Sequence, residues 1–311
     1  MSEETAPGDL DVRWIHGSAS RKRQTDPEWQ VHHYRDDTVI LRQSKDANFE
    51  AAFVYLLFGA ERAILFDTGS TSDDGLRREV DTLVAGWLAD HPAASYQLVV
   101  AHTHAHGDHI AGDATFADRA DTVVVGTTAD DVQAFFGFTS WPQQVVDFDL
   151  GGRRLEITGI PGHEPASIAT YDERSGLLLT GDSVYPGRIY VRDFPAFVDS
   201  LQRLVALAET HEVSHVLGCH IRDDDAAGPR LLPRLPLPAG RAAVADDGPP
   251  AASHARRRRV GRGPAGPAPV RRLRDLQRHG RADAGPGRGT CPDRPRPGRR
   301  TVDASRARRG G

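Results

Sequence analysis

The chain of 311 residues holds only two cysteines, Cys219 and Cys291, so no framework of disulfides can staple it, and a reducing cytoplasm fits this usage. It lacks any run of about eighteen apolar residues, which excludes a helical membrane span. The opening MSEETAPGDLDVRW lacks the basic start and apolar stretch of a secretory signal, so secretion is not expected. From Arg222 to Gly311 there is no aromatic residue, no Ile, no Lys and no Glu, while 22 Arg, 15 Ala, 13 Gly and 13 Pro supply 63 of the 90 residues. A segment of that composition cannot bury enough apolar surface to offset its ordering entropy, so residues 222–311 are expected to be a disordered tail.

Charge separates the same two pieces. With 22 Arg against 9 Asp the tail carries +13, so the first 221 residues carry −17 within a total of −4. Specific nucleic-acid binding is not expected: a basic tail gives only salt-dependent attraction, and the acidic part repels a phosphate backbone. Arg, Pro, Gly and Ala are also the residues whose codons begin with two G or C bases, as a GC-rich gene yields in a shifted frame. One encoding of IRDDD (221–225), reread one base later after the Ile codon, gives Glu-Met-Thr. The tail is therefore read as a frameshift product or an unrelated extension, and residues 8–221 as the folding domain.

Within that domain, short apolar or alternating runs predict strands at TVILRQ (38–43), AAFVYLLFG (51–59), RAILFD (62–67), YQLVVA (96–101), TVVVG (122–126), RLEITGI (154–160) and GLLLTGD (176–182). Apolar residues recurring at three and four predict helices over 75–91 and 196–211. A block of strands followed by strands alternating with helices implies a layered α/β sandwich.

The stretch AHTHAHGDHIAG (101–112) follows directly on a predicted strand and places histidines in a loop entering a helix. His104 and His106 are two apart and Asp108 and His109 adjacent, so a turning loop can aim each pair at its own point, as two neighbouring cations require. A solvated His-rich loop is the bland alternative, and it weakens because other ligand types recur at strand ends. Asp67 in LFDTGS, His163 in GIPGHE, Asp182 in LLLTGDS and His220 in SHVLGCH each stand in a turn with a glycine within two residues that lets backbone approach closely.

The ordered set DTG (67–69), THAHGDH (103–109), PGH (161–163), TGD (180–182) and GCH (218–220) resembles the metallo-β-lactamase-fold hydrolase superfamily over about residues 30–221. The resemblance implies an αββα four-layer sandwich with the site at one edge between the sheets. It implies one metal held by His104, His106 and His163, a second held by Asp108, His109 and His220, and Asp182 bridging them. Asp67 would accept from a ligand imidazole, and Asp108 would be the catalytic residue that orients the metal-bound water. Imidazole and carboxylate suit Zn²⁺ and also accept Mn²⁺ or Fe²⁺; two divalent ions, zinc first, are expected.

Two such cations activate water against an ester, thioester or lactone carbonyl of a small-molecule substrate. With Asp182 where some true β-lactamases carry cysteine or no ligand, the set looks more like glyoxalase II or a lactonase. A glutamate in place of His106 would point to flavodiiron proteins. A mononuclear iron sulfur dioxygenase, a phosphodiesterase or nuclease, and a metal-binding but inactive module are the other readings. Tyr185, Arg188 and Tyr190, just after Asp182, are substrate-binding candidates, against a plain loop-packing role. Cys219 reads as a small buried bystander, and His102 as pointing away from the site. Trp14, Trp29 and the His32–His33 pair have no partner visible in the sequence, and the oligomeric state is not readable.

Overall fold

The computed structural model describes residues 7–18 and 22–221, which fall within the first of the two units into which the chain divides, Met1–Ala242. The expected disorder and frameshift origin of residues 222–311 lie outside the described residues. One sheet runs in sequence order through β1 (Trp29–Arg35), β2 (Thr38–Gln43), β3 (Phe53–Phe58), β4 (Arg62–Phe66), β5 (Gln97–Ala101) and β6 (Thr122–Val124). The other is ordered β11 (His215–Gly218), β10 (Leu177–Gly181), β9 (Ile168–Asp172), β8 (Arg154–Gly159), β7 (Val145–Asp149). The helices are α1 (Gly75–Asp90), α2 (Gly107–Ile110), α3 (Ala129–Phe136) and α4 (Phe194–Thr210).

The two-residue period of a strand sorts each central strand into two layers. In β3, Phe53, Tyr55 and Leu57 face the core between the sheets, while Val54, Leu56 and Phe58 pack with Leu76, Val80 and Val84 of α1. In the second sheet Ile168, Leu177 and Leu179 join the central core, and Ala169, Tyr171 and Leu178 meet Leu204 and Leu207 of α4. The result is the αββα sandwich that the resemblance implied. Every residue of β3 is buried because both faces are covered, which explains its unbroken apolar run. Among the described residues no helix is long and apolar enough to cross a membrane.

Chain direction decides where the loops gather. β4 and β5 are parallel, and β8, β10 and β11 run in a common direction through the antiparallel β9, so the C-terminal ends of each group face one edge. There the sheets are stitched by Phe53 N donating to Cys219 O (2.8 Å), Ile168 N to Thr103 O (2.9 Å) and the Tyr55 hydroxyl to Gly218 O (2.7 Å). At the opposite edge Arg153, 1% exposed, forks onto both oxygens of Asp172 (3.1 and 2.6 Å) and donates to the carbonyls of Asp37 and Phe58 and to Thr38 Oγ1. A buried guanidinium so fully partnered satisfies its charge without water.

Candidate metal centre

Each element delivers its residue by a short device. Gly162, at φ +137°, lies so close to α4 that a Cβ would come within 2.5 Å of Phe197, and this approach sets His163 over the sheet edge. Gly181, at φ +52°, lets β10 end against Thr103, which brings Asp182 beneath the histidine loop. Asp67 is itself a non-glycine residue at φ +73°, a sparsely populated conformation held by the groups around its carboxylate.

All seven expected residues converge on this edge. His104 Nε2 stands 3.0 Å from His106 Nδ1 and 3.3 Å from His163 Nε2, and the latter is 3.0 Å from His106 Nδ1. Three imidazole nitrogens bound to one tetrahedral zinc at 2.0–2.1 Å lie about 3.3 Å apart, close to this triangle. Beside it, Asp108 Oδ2 is 3.3 Å from His109 Nε2 and 3.2 Å from His220 Nε2. Asp182 lies between the groups, its Oδ2 3.9, 3.7 and 3.4 Å from the Nε2 atoms of His104, His163 and His220, and its Oδ1 3.8 Å from His109 Nε2.

The rear nitrogens of four imidazoles are already engaged, which aims the front ones inward. His109 Nδ1 meets Asp67 Oδ2 at 2.9 Å, His163 Nδ1 meets Tyr190 O at 2.6 Å, His220 Nδ1 meets Glu50 O at 3.1 Å, and His104 Nδ1 meets Thr103 Oγ1 at 3.2 Å. Two buried polar atoms facing inward, His109 Nε2 and Asp182 Oδ1, have no hydrogen-bond partner among the described residues. Buried orphans of that kind are costly unless an ion or water completes them, so the donor set fits divalent cations.

Electrostatics divides the cluster. Burial, then the neighbouring histidines, push His104 well below the ordinary imidazole range, and His106 is lowered for the same reasons, so these rings present lone pairs. Burial would lower His220 too, but Asp108 and Asp182 outweigh it and lift it to about 9; Asp67 and Asp108 raise His109 in the same way against its burial. Burial opposes ionisation of Asp108, yet His109 and His220, whose Nε2 atoms stand 3.3 and 3.2 Å from its Oδ2, hold it far below the ordinary carboxylate range. Protons thus stand where the second set of ligands would hold a cation.

The other expectations sort as follows. Cys219 is fully buried behind the cluster, its thiol donating to Asp67 Oδ2 at 3.2 Å, and burial and Asp67 push that thiol up. His102 turns away to Asp113 at 2.9 Å. Tyr185, Arg188 and Tyr190 all line the cleft of about 520 Å³ above the cluster; the Tyr185 hydroxyl donates to the Arg188 carbonyl, and Tyr190 also offers its own carbonyl to His163. Trp14 packs edge-on against His32 and Phe53, and Trp29 lies against Gly69. Sequence reasoning missed the backbone acceptors at Glu50 and Tyr190, which no side-chain pattern reveals. It also missed Arg42 and Lys45 of the cleft wall, which stand outside every recognised motif.

The sequence profile of the metallo-beta-lactamase superfamily matches residues 47–268, which reaches beyond the described residues. The human acyl-coenzyme A thioesterase MBLAC2 is 27% identical over 232 residues, covering 62% of this chain and 81% of that protein. The hydroxyacylglutathione hydrolase of Methylococcus capsulatus is 31% identical over 153 residues, covering 47% of this chain and 58% of that protein. Among solved structures, a metallo-beta-lactamase from Pontibacter korlensis aligns over 62% of this chain and 91% of its own, with 20% identity and a TM-score of 0.46.

Proposed function

The chain belongs to the metallo-beta-lactamase superfamily and is a hydrolase, and from that premise we propose that it hydrolyses thioesters at a dinuclear metal centre, zinc by donor chemistry. The observation that carries this reading is the pair of inward ligand sets with Asp182 between them, and the inward His109 Nε2 and Asp182 Oδ1 that lack a hydrogen-bond partner among the described residues. His104, His106 and His163 would hold one ion, Asp108, His109 and His220 the other, with Asp182 shared. Bound there, the ions lower the pKa of water towards neutrality and polarise an acyl oxygen. The thioester bond is supported by the presence of an acyl-coenzyme A thioesterase and a hydroxyacylglutathione hydrolase among the relatives.

The chain's own residues do the rest. Asp108, the less buried of the two site carboxylates, orients the attacking water by accepting one of its protons. The water oxygen bonds to the acyl carbon, the C–S bond breaks, the proton accepted by Asp108 leaves with the thiolate, and the second proton of the water passes to solvent, giving a carboxylate and a free thiol. Asp67 keeps the His109 proton on Nδ1, so Nε2 stays a donor of electrons. A panel of one acyl group as thioester, oxygen ester, lactone, phosphodiester and β-lactam tests the reading. Thioester turnover at least tenfold above the other classes is expected; preference for another class, or oxygen uptake with a single iron, overturns it.

A further inference from the structure

Two arginines are fully buried in the described residues, and they are treated very differently. Arg153 has a carboxylate fork and three further acceptors. Arg42, 1% exposed, makes no ion pair among the described residues: its Nη1 donates to the Ala51 carbonyl, its guanidinium lies 4.5 Å over the Phe53 ring, and its Nε meets no acceptor. A buried, incompletely satisfied cation is a poor choice for stability alone. Its position explains where it is aimed. Strand alternation puts Arg42 on the inner row of β2 after Thr38 and Ile40, at the sheet edge that carries the metal ligands, and it lines the same cleft as His106, Asp108 and His220.

The cleft wall carries two further cations, Lys45 and Arg188. Lys45 lines the cleft close to Arg42, and its ammonium is pushed down by burial and by that neighbour. Of the two carboxylates on the loop after β2, Asp46 accepts from Ser18 N at 2.9 Å, and Glu50 lines the cleft. Ala51, whose carbonyl anchors Arg42, is held at φ +47°, a strained conformation for a residue with a side chain and one that recurs at ligand clamps.

We infer that Arg42, with Lys45, forms a binding site for an anionic group of the substrate, a carboxylate or a phosphate, beside the reacting centre. A planar guanidinium with a free Nε–H matches either anion through paired hydrogen bonds. The inference rests on the thioester reading only for the name of the substrate; binding is measured separately from turnover.

The probes are the non-hydrolysable thioethers S-methyl glutathione for carboxylate, S-methyl coenzyme A for phosphate and S-methyl-N-acetylcysteamine as the neutral control, titrated calorimetrically into the full chain. Arg42→Met, which keeps the apolar stem, is expected to weaken at least one anionic probe tenfold or more beyond any change with the neutral one. Arg42→Lys should restore part of that loss. If Arg42→Met fails to fold, Lys45→Met, on the loop, should weaken the same probe at least threefold. Equal losses on charged and neutral probes, or wild-type protein that binds neither anion, overturn the inference. Arg42-dependent anion binding in a protein that hydrolyses no thioester refutes the proposed function and leaves this site standing.

Discussion

Replacing Asp67 by Asn alters the cluster at one atom while preserving its shape. Asn fills the same volume and tolerates the positive φ of this position as well as Asp does, so neither packing nor backbone strain changes. Oδ1 accepts the Thr103 amide at 2.7 Å, while Oδ2 receives Thr103 Oγ1 at 2.8 Å, His109 Nδ1 at 2.9 Å and the Cys219 thiol at 3.2 Å. With the amide bond fixing the oxygen of the new side chain, its NH₂ replaces Oδ2 and points at the His109 ring. The imidazole must then accept at Nδ1 and carry its proton on Nε2, the atom that faces the second cation position. Loss of a partner that orients a ligand histidine weakens metal binding about 10- to 100-fold, which is about 1.4–2.7 kcal/mol. Competition against a chromophoric chelator should show this loss for one of two equivalents. Cys219→Ser is the control, because a serine hydroxyl can still donate to Asp67 and metal content should hold. Affinity of Asp67→Asn within twofold of wild type would refute the reasoning.

Three further outcomes follow from the same geometry. Asp108→Ala should lower hydrolysis by about 10²–10⁴-fold, the usual range for a positioned proton acceptor, with the far-ultraviolet dichroism unchanged; a rate within tenfold would contradict its role. His220 is raised to about 9 from 6.5, so its contribution to metal-free stability is complete below pH 6.5 and lost as pH rises through about 9. Denaturant midpoints of stripped protein should fall over that window, and metal affinity should rise as the proton is displaced. Ending the chain after Ile221 removes none of the seven residues and none of the described core, and is expected to leave the thermal midpoint within about 2 °C, against shifts of about 2–4 °C per kcal/mol for domains of this size.

How much of this was readable in the sequence depends on how each residue acts. β3, β4, β5 and β10 announce themselves because strands buried on both faces are largely apolar runs. β1, with WQVHHYR, and the edge strand β7, with VVDFD, were passed over because polar residues dilute the alternation. α3 is only eight residues long, and its signature is the Thr128–Asp131 capping box rather than periodicity. Four of the seven site residues stand out because they crowd the one stretch after β5, and the other three, His163, Asp182 and His220, because each follows a strand within two residues of a glycine. Asp67 reads equally as a turn residue, and its contacts to Thr103 and Cys219 depend on sequence separations of 36 and 152. Arg42 looked like the polar end of a strand; counting by twos from Ile40 places it on the inner row, and only the fold shows what that row faces.

The most direct test is the metal content of the full chain, stripped with chelator, reconstituted with excess Zn²⁺, freed of unbound metal and measured by elemental analysis against protein concentration. Two ligand sets sharing Asp182 predict close to two equivalents per chain, falling to about one when His220 is replaced by Ala. At most one equivalent in the wild-type protein after reconstitution would contradict the dinuclear centre.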